Sequence, residues 1–361
     1  MPLRSVAAAP RDALQRERLA LFLRIVAVSA AIGALYGAAI AHAGSSWLAS
    51  AIGSLNGAFI AAAIGGTEIF LLREGSSTRR LPRLPFAGVV VLKTIVYGAI
   101  VTVVPAVHLF GLLFPGLLRQ SPVDMRTELV TVGFSLAVTL IFVVVLQAAG
   151  LVGRRTFRDL VLGRYRRPRL ERRFFLFVDV VGSTPIAERL GPLEAHRFLA
   201  QVFSTVAEPI AARRGEIYQY VGDEIVVTWT GPEGAREGRP VHCFFEMQAT
   251  LAAVAAEFRR RFDTEPRLRA ALHVGEVVAG EIGEQRRAIV FHGDVMNTAS
   301  RLEQAARELG CSFIVSADAL DALGAAPEFA YRDLGALALR GRKDPMRAWS
   351  IERVIPVAQA E

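Results

Sequence analysis

Four long apolar runs in the first half of the chain constrain its fold more than any other feature. A helix rises 1.5 Å per residue, so about 20 apolar residues cross the ~30 Å hydrocarbon core of a bilayer. The runs Leu19–Ala43, Trp47–Leu72, Phe86–Phe114 and Leu129–Val152 all reach that length. They predict an all-α bundle of four transmembrane helices, with Pro105 a possible kink in the third. Arg4, Arg11, Arg16 and Arg18 precede a first run too long for a cleavable signal, so the first helix is expected to stay in place.

Charge sets the orientation. Residues 1–173 hold 21 Lys+Arg against 8 Asp+Glu, a net of +13; residues 174–361 hold 21 against 26, a net of −5. The excess sits in the N-terminal arm, in Arg73, Arg79, Arg80 and Arg83 after the second run, and in a dense stretch from Arg154 to Arg173. The first outer loop is uncharged, and the other balances Arg119 and Arg126 against Asp124 and Glu128. The positive-inside rule then puts both termini in the cytoplasm, which four spans satisfy and three or five do not. The basic excess is thus a matter of topology, and no aromatic-plus-basic pattern argues for nucleic acid.

Inside the spans, Lys93 is expected to reach the cytoplasmic interface. Glu68 stays open between that role and a functional one. Gly33/Gly37 and Gly53/Gly57 have a small-xxx-small spacing that suits close helix packing or dimerisation. The bundle is open to three roles: anchor, dimerisation device, or receptor for a lipid or apolar ligand. The expected domains are a cytoplasmic arm 1–18, the membrane bundle 19–152, an Arg-rich connector 153–172, a soluble domain 173–355 and a tail 356–361. The connector is expected to touch anionic lipid, to transmit a signal, or both.

The second half reads as α+β with a mostly antiparallel sheet. Strands are predicted at Phe174–Val181, Glu216–Val221, Ile225–Thr230, Arg267–Val274, Val277–Ile282, Arg287–His292, Ser312–Val315, Phe329–Leu334 and Met346–Val354. Helices are predicted from Thr184 (N-cap) and Pro185 to Leu190, over Pro192–Arg213, over Pro240–Phe262 and over Val295–Leu309. Cys243 and Cys311 are too far apart for a disulfide framework or a zinc spacing.

Two acids carry the chemistry. Asp179 interrupts the apolar strand FFLFVDVV, and Asp223 sits at a Gly-Asp hairpin between apolar strands. An unpaired carboxylate there is costly, and two together call for a cation. Hard oxygen ligands favour Mg²⁺ or Mn²⁺, and paired metals suit phosphoryl chemistry. The turn Val181, Gly182, Ser183, Thr184 opens a helix beside Asp179 and offers amides to phosphate oxygens. Asn297 and Arg301, at i and i+4, project together from a later helix. Arg suits charge on a transferring phosphoryl group, and Asn can orient a ribose oxygen. Glu224 is expected to face solvent, and His273 and His292 to pack rather than ligate.

FVDVVGST, YQYVGDEIVVTW, LHVGEVVAGEIG, HGDVMNTASRLE and LRGRKDPM, in this order, resemble class III adenylyl/guanylyl cyclases over about residues 172–354. The resemblance implies a ferredoxin-like palm domain in a head-to-tail homodimer with composite active sites. It implies two Mg²⁺ or Mn²⁺ ions per site, held by Asp179 and Asp223 with help from the Val180 carbonyl. It implies that Asn297 positions the ribose and Arg301 stabilises the transition state, both reaching the partner's metal residues. Arg340, Arg342 and Lys343 are candidates for holding the triphosphate. The expected activity is that of a bacterial inner (plasma) membrane, multi-pass adenylate cyclase with its catalytic domain in the cytoplasm, making 3′,5′-cyclic AMP and pyrophosphate from ATP.

The sequence departs from the family where the base is chosen. Gln219 stands where Lys marks adenylyl and Glu marks guanylyl cyclases, and Val290 stands where Asp, Thr or Cys is usual. Gln pairs with either purine edge, and Val with neither. A guanylate or mixed-specificity cyclase is therefore the alternative, as is a membrane sensor with a weakly active nucleotide-binding domain.

Overall fold

The computed structural model describes residues 8–40, 46–68, 86–109, 125–285, 287–342 and 344–354. The chain divides between Phe157 and Arg158 into two compact units.

The first unit contains the helices α1 (Ala8–Ile40), α2 (Ser46–Gly66), α3 (Phe86–Leu109) and α4 (Met125–Val152). Phe22–Ala39, Ala49–Gly66 and Val132–Val152 are long and apolar enough to cross a membrane, whereas the apolar stretch of α3, Ala87–Thr102, is shorter. The remainder of the expected third span, residues 110–114, and the basic segment at 73–83 lie outside the described residues.

The glycine pairs pack within the chain, as the crossing of α1 and α2. A Cβ on Gly33 would collide with the Gly53 carbonyl, and one on Gly53 with that of Gly33; Gly37 and Gly57 meet Ala49 and Ser29 in the same way. Ser50 adds a hydrogen bond to the Ala34 carbonyl at 3.1 Å. Gly33→Leu is therefore expected to separate the two helices and lower the melting temperature of the detergent-solubilised protein, overpacking costing about 1–3 kcal/mol. Gly133→Leu, at a position with nothing within 4 Å of a built Cβ, is the comparison and should leave the melting temperature near wild type.

Lys93 does not reach outward as expected. Its Nζ lies 2.6 Å from Glu68 Oε1, and the Tyr97 hydroxyl donates to the same oxygen at 2.8 Å. Two ionisable groups in apolar helices thus neutralise each other, which answers the high cost of leaving either alone. Tyr97 packs with Ile64, Val101 and Val143 in a core shared by α2, α3 and α4.

A short helix α5 (Arg154–Val161) spans the division between the units, and the second unit continues into an eight-stranded sheet. The strands are β1 (Arg169–Val180), β2 (Glu216–Val221), β3 (Glu224–Thr230), β4 (Leu268–Ile282), β5 (Ala288–His292), β6 (Phe313–Ser316), β7 (Phe329–Leu337) and β8 (Met346–Arg353). Their order is β2-β3-β1-β4-β6-β8-β7, with β5 paired to β4. Among the described residues only β4 and β6 run parallel. The helices are α6 (Ser183–Leu190), α7 (Pro192–Ala212), α8 (Gly231–Ala235), α9 (Arg239–Ala253), α10 (Ala255–Phe262), α11 (Asp294–Glu308) and α12 (Ala317–Leu323).

Successive side chains of a strand point to opposite faces, and β1 uses both. Phe174, Leu176, Val178 and Val180 join the larger core with Phe198 and Val202 of α7 and Phe244 of α9. Phe175 and Phe177 join the smaller core with Val295 and Ala299 of α11. Asp179 shares the parity of Phe175 and Phe177, so the fold aims it at the α11 face.

Several boundaries differ from expectation. β1 begins at Arg169, inside the expected connector. The helix expected over Pro240–Phe262 breaks at Val254, and a left-handed Gly238 precedes α9. The two strands expected around Gly275 are one, because Gly275 is a close approach rather than a turn: a Cβ there would lie 2.6 Å from Val295 Cγ2. Helix α6 starts at Ser183 with left-handed Gly182 as its cap, two residues before the expected Thr184 cap. Helix α12 is additional and is capped by Ser316 Oγ, which accepts from the Ala319 N–H at 3.2 Å.

Candidate active site

Asp179 occupies the penultimate position of β1, paired with Glu224 of β3 on one side and Arg269 of β4 on the other. Directly opposed residues share a face, so all three side chains lie on the α11 side. The tight β2–β3 connection, with Gly222 left-handed at φ 61°, brings Asp223 to the same end. The Asp223 carboxyl is within hydrogen-bonding reach of Asp179, and its Oδ2 accepts a hydrogen bond from the Ser183 hydroxyl. Asp179 is 4% exposed.

Helix α11 adds two more charges. Its buried stripe runs Val295, Thr298, Ala299, Leu302, Glu303, Ala306, so Glu303 faces the sheet. Arg307, one turn further, donates to Asp179 Oδ2 at 3.1 Å, and Arg269 donates to the same oxygen at 3.4 Å. Four carboxyl groups therefore meet two guanidinium groups. Burial, reinforced by Asp223 and Glu303, pushes the Asp179 carboxyl up to about 7. Glu224, expected in solvent, is part of this cluster and is likewise raised to about 7, first by burial and then by Glu303, Asp179 and Asp223.

An acidic pocket under-neutralised in this way suits a hard cation. Among the described residues no three His, Cys, Asp or Glu groups form a ready-made metal cage. The donor set is a carboxylate pair, and Glu303 Oε1 is buried without a hydrogen-bond partner among the described residues. Mg²⁺ is commonly held in this way, by one or two carboxylates with substrate phosphates and water completing the shell. The residues present fit that mode.

Next to the carboxylates, the N–H of Val181 is already committed to the Arg267 carbonyl at 2.9 Å. That correction leaves the amides of Gly182, Ser183 and Thr184, at the opening of α6, as the phosphate candidates of this turn. Val180 ends β1 with its side chain in the larger core.

Asn297 and Arg301 lie on a different face of α11. Asn297 is exposed and Arg301 half-buried, while Glu303 and Arg307 serve the Asp179 side of the helix. The Arg301 guanidinium rests against Gly341, where a Cβ would lie 3.3 Å from Nη2. Arg342 bonds to Thr298 Oγ1 at 2.8 Å and Asp294 Oδ2 at 3.4 Å, which ties the late basic loop to the first turn of α11. Arg340 is exposed, and Lys343 lies outside the described residues.

The base-selecting candidates lie on β2 and β5. A register shift in β2 between Ile217 and Gln219 pairs Gln219 with Val226, on the α11 side of the sheet. The neighbouring Tyr218 ring meets Phe291 of β5 at 4.9 Å between centroids. Val290 precedes Phe291 and is half-buried. His273 is buried with its Nδ1 2.8 Å from Ser316 Oγ, a packing role as expected.

Residues 168–353 match the family described as "Adenylate and Guanylate cyclase catalytic domain". The chain belongs to that family, as a class III nucleotidyl cyclase. Over 237 residues, 65% of each chain, the protein is 36% identical to "Adenylate cyclase 2" of Rhizobium meliloti. "Adenylate cyclase 1" of the same organism is 27% identical over 183 residues, 50% of this chain and 27% of that protein. The chain thus spans less than two thirds of either relative. The adenylyl cyclase CyaB of P. aeruginosa aligns with a TM-score of 0.47 at 20% identity, over 53% of this chain and 98% of that one.

Arg269, Glu303 and Arg307 were absent from the sequence-based set. A lone arginine opening the apolar strand LRAALHV was one available signal. A glutamate falling in the apolar stripe of α11 was another.

Proposed function

We propose that this chain is a membrane-bound adenylate cyclase that converts ATP to 3′,5′-cyclic AMP and pyrophosphate in a homodimer with two shared sites. One observation carries the reading: the paired carboxylates Asp179 and Asp223 meet one face of α11, and Asn297 and Arg301 lie on another. Two copies arranged head to tail would bring each carboxylate pair to the other copy's Asn–Arg pair.

In this reading Asp179 and Asp223, with the Val180 carbonyl, hold two Mg²⁺ or Mn²⁺ ions. When bound, the ions supply the Lewis acidity that lowers the pKa of the ribose 3′-hydroxyl and neutralises the triphosphate. The α6 amides and the basic loop at Arg340, Arg342 and Lys343 orient the phosphate chain. Asn297 holds the ribose so that its 3′-oxygen faces the α-phosphorus. Arg301 meets the charge that builds as that O–P bond forms and the bond to pyrophosphate breaks. ATP is the favoured substrate because both Rhizobium relatives carry the adenylate cyclase name. GTP, or both, is the second reading, because Gln219 can pair with either base.

Four spans with both termini cytoplasmic, in the plasma membrane of a bacterium, fit the charge distribution and keep the cyclase domain beside its substrate. Lipid is then a constant partner, and a ligand of the bundle is a further open role.

A mixing experiment tests the shared site. Asp179→Ala and Arg301→Ala chains are each expected to lose at least about 100-fold in activity. Mixed in equal amounts, they should recover about a quarter of wild-type activity, because each heterodimer keeps one intact site. Heterodimers shown to form yet remaining inactive would contradict the proposal.

A further inference from the structure

Two arginines compete for one carboxylate oxygen, and they differ in how firmly they are held. Arg269 has only 14% of its side chain exposed and also faces Glu303 at 3.9 Å. Arg307, in the last turn of α11, has 61% of its side chain exposed and reaches back across Glu303 at 3.8 Å to touch Asp179 Oδ2 at 3.1 Å. Its contact lies at the mouth of the acidic pocket. A divalent ion taking Asp179 Oδ2 as a ligand would sit a few ångströms from the Arg307 guanidinium, where like charges repel. Arg269 is fixed in place. Arg307 has a long flexible stem and open solvent to move into.

We propose that Arg307 is an exchangeable counter-ion that closes the metal position of Asp179 until a divalent cation displaces it. The device sets a threshold: the cation must replace an internal guanidinium as well as bind two carboxylates. It also spares the pocket from holding four carboxyl groups against one arginine when no metal is present. The inference rests on the reading that Asp179 and Asp223 hold the metal.

The test is a titration of metal-free, detergent-solubilised full-length protein with Mn²⁺ in the absence of nucleotide, the free ion being read by its electron paramagnetic resonance signal. Arg307→Ala should bind the first Mn²⁺ about 3- to 10-fold more tightly than wild type, the gain expected from removing one partly exposed opposing charge. Arg307→Lys, which keeps the charge, should stay closer to wild type. Arg347→Ala, which removes an arginine paired with Asp333 on β7, should leave the affinity unchanged. Asp179→Asn should lose the tight site. Equal affinity of wild type and Arg307→Ala, with Asp179→Asn still losing the site, would overturn the counter-ion and leave the metal reading intact. No Mn²⁺ binding by wild type or any variant would remove the metal site and the counter-ion together.

Discussion

Asp179→Asn in the full-length protein is expected to cut cyclic nucleotide formation by more than about a thousandfold, beyond the 10²–10³ that follows loss of a single oxyanion donor. The substitution keeps the shape of the side chain and removes its charge. Asp179 is the penultimate residue of a strand buried on both faces, so the backbone cannot shift to let another acid replace it. The same substitution should not harm the fold. The Asp179 carboxyl is raised from an ordinary 3.8 to about 7 by burial and by Asp223, so its ionised form is disfavoured in the folded, metal-free protein. A carboxyl raised on folding contributes its full stability below its unfolded value. That contribution is lost as pH rises towards about 7. Metal-free wild type should therefore lose stability between about pH 4 and pH 7 relative to Asp179→Asn, and the variant should melt no lower than wild type at pH 8. A variant that was both inactive and unfolded would show a structural role instead.

Arg173→Met is expected to destabilise the cyclase domain by about 3–5 kcal/mol, the usual cost of breaking a buried ion pair from one side. Arg173 closes the basic run that follows the fourth apolar stretch, yet it is 1% exposed. Its Nε donates to Glu171 at 3.0 Å and its Nη2 to the Tyr165 hydroxyl at 3.1 Å. Nη1 reaches Glu216 and Thr228 at 3.5 Å each, and the guanidinium lies 4.5 Å above the Phe291 ring. One side chain thus joins the approach to β1 with β2, β3 and β5. Methionine fills the volume but leaves Glu171 and Glu216 without that cation. For a domain of this size the melting temperature should fall by roughly 10 °C. Arg347→Met, at a surface pair with 62% and 42% of the two side chains exposed, should change it by about 1–2 °C.

These residues show what the sequence could reveal. The strands and helices of the second half were legible because their apolar periods switch cleanly between two and about 3.6. The closeness of Asp179 and Asp223 was also legible, since a strand-end acid and a hairpin acid each needed a partner. Arg269, Glu303 and Arg307 were not, because their meeting depends on the β1–β4 register and on which face of α11 turns to the sheet. The burial of Arg173 was not legible, because a basic run beside a membrane span looks uniform until the strand within it is known to start at Arg169. In the first unit, small-residue spacing allowed packing within or between chains. Only the facing carbonyls of Gly33 and Gly53 place it within one chain.

The most direct measurement incubates the purified full-length protein with Mn²⁺ and, separately, ATP and GTP, and identifies the products chromatographically. ATP should give 3′,5′-cyclic AMP and an equal amount of pyrophosphate, with Asp179→Asn inactive in parallel. No cyclic product from either nucleotide in a dimeric, folded protein would contradict the proposed activity.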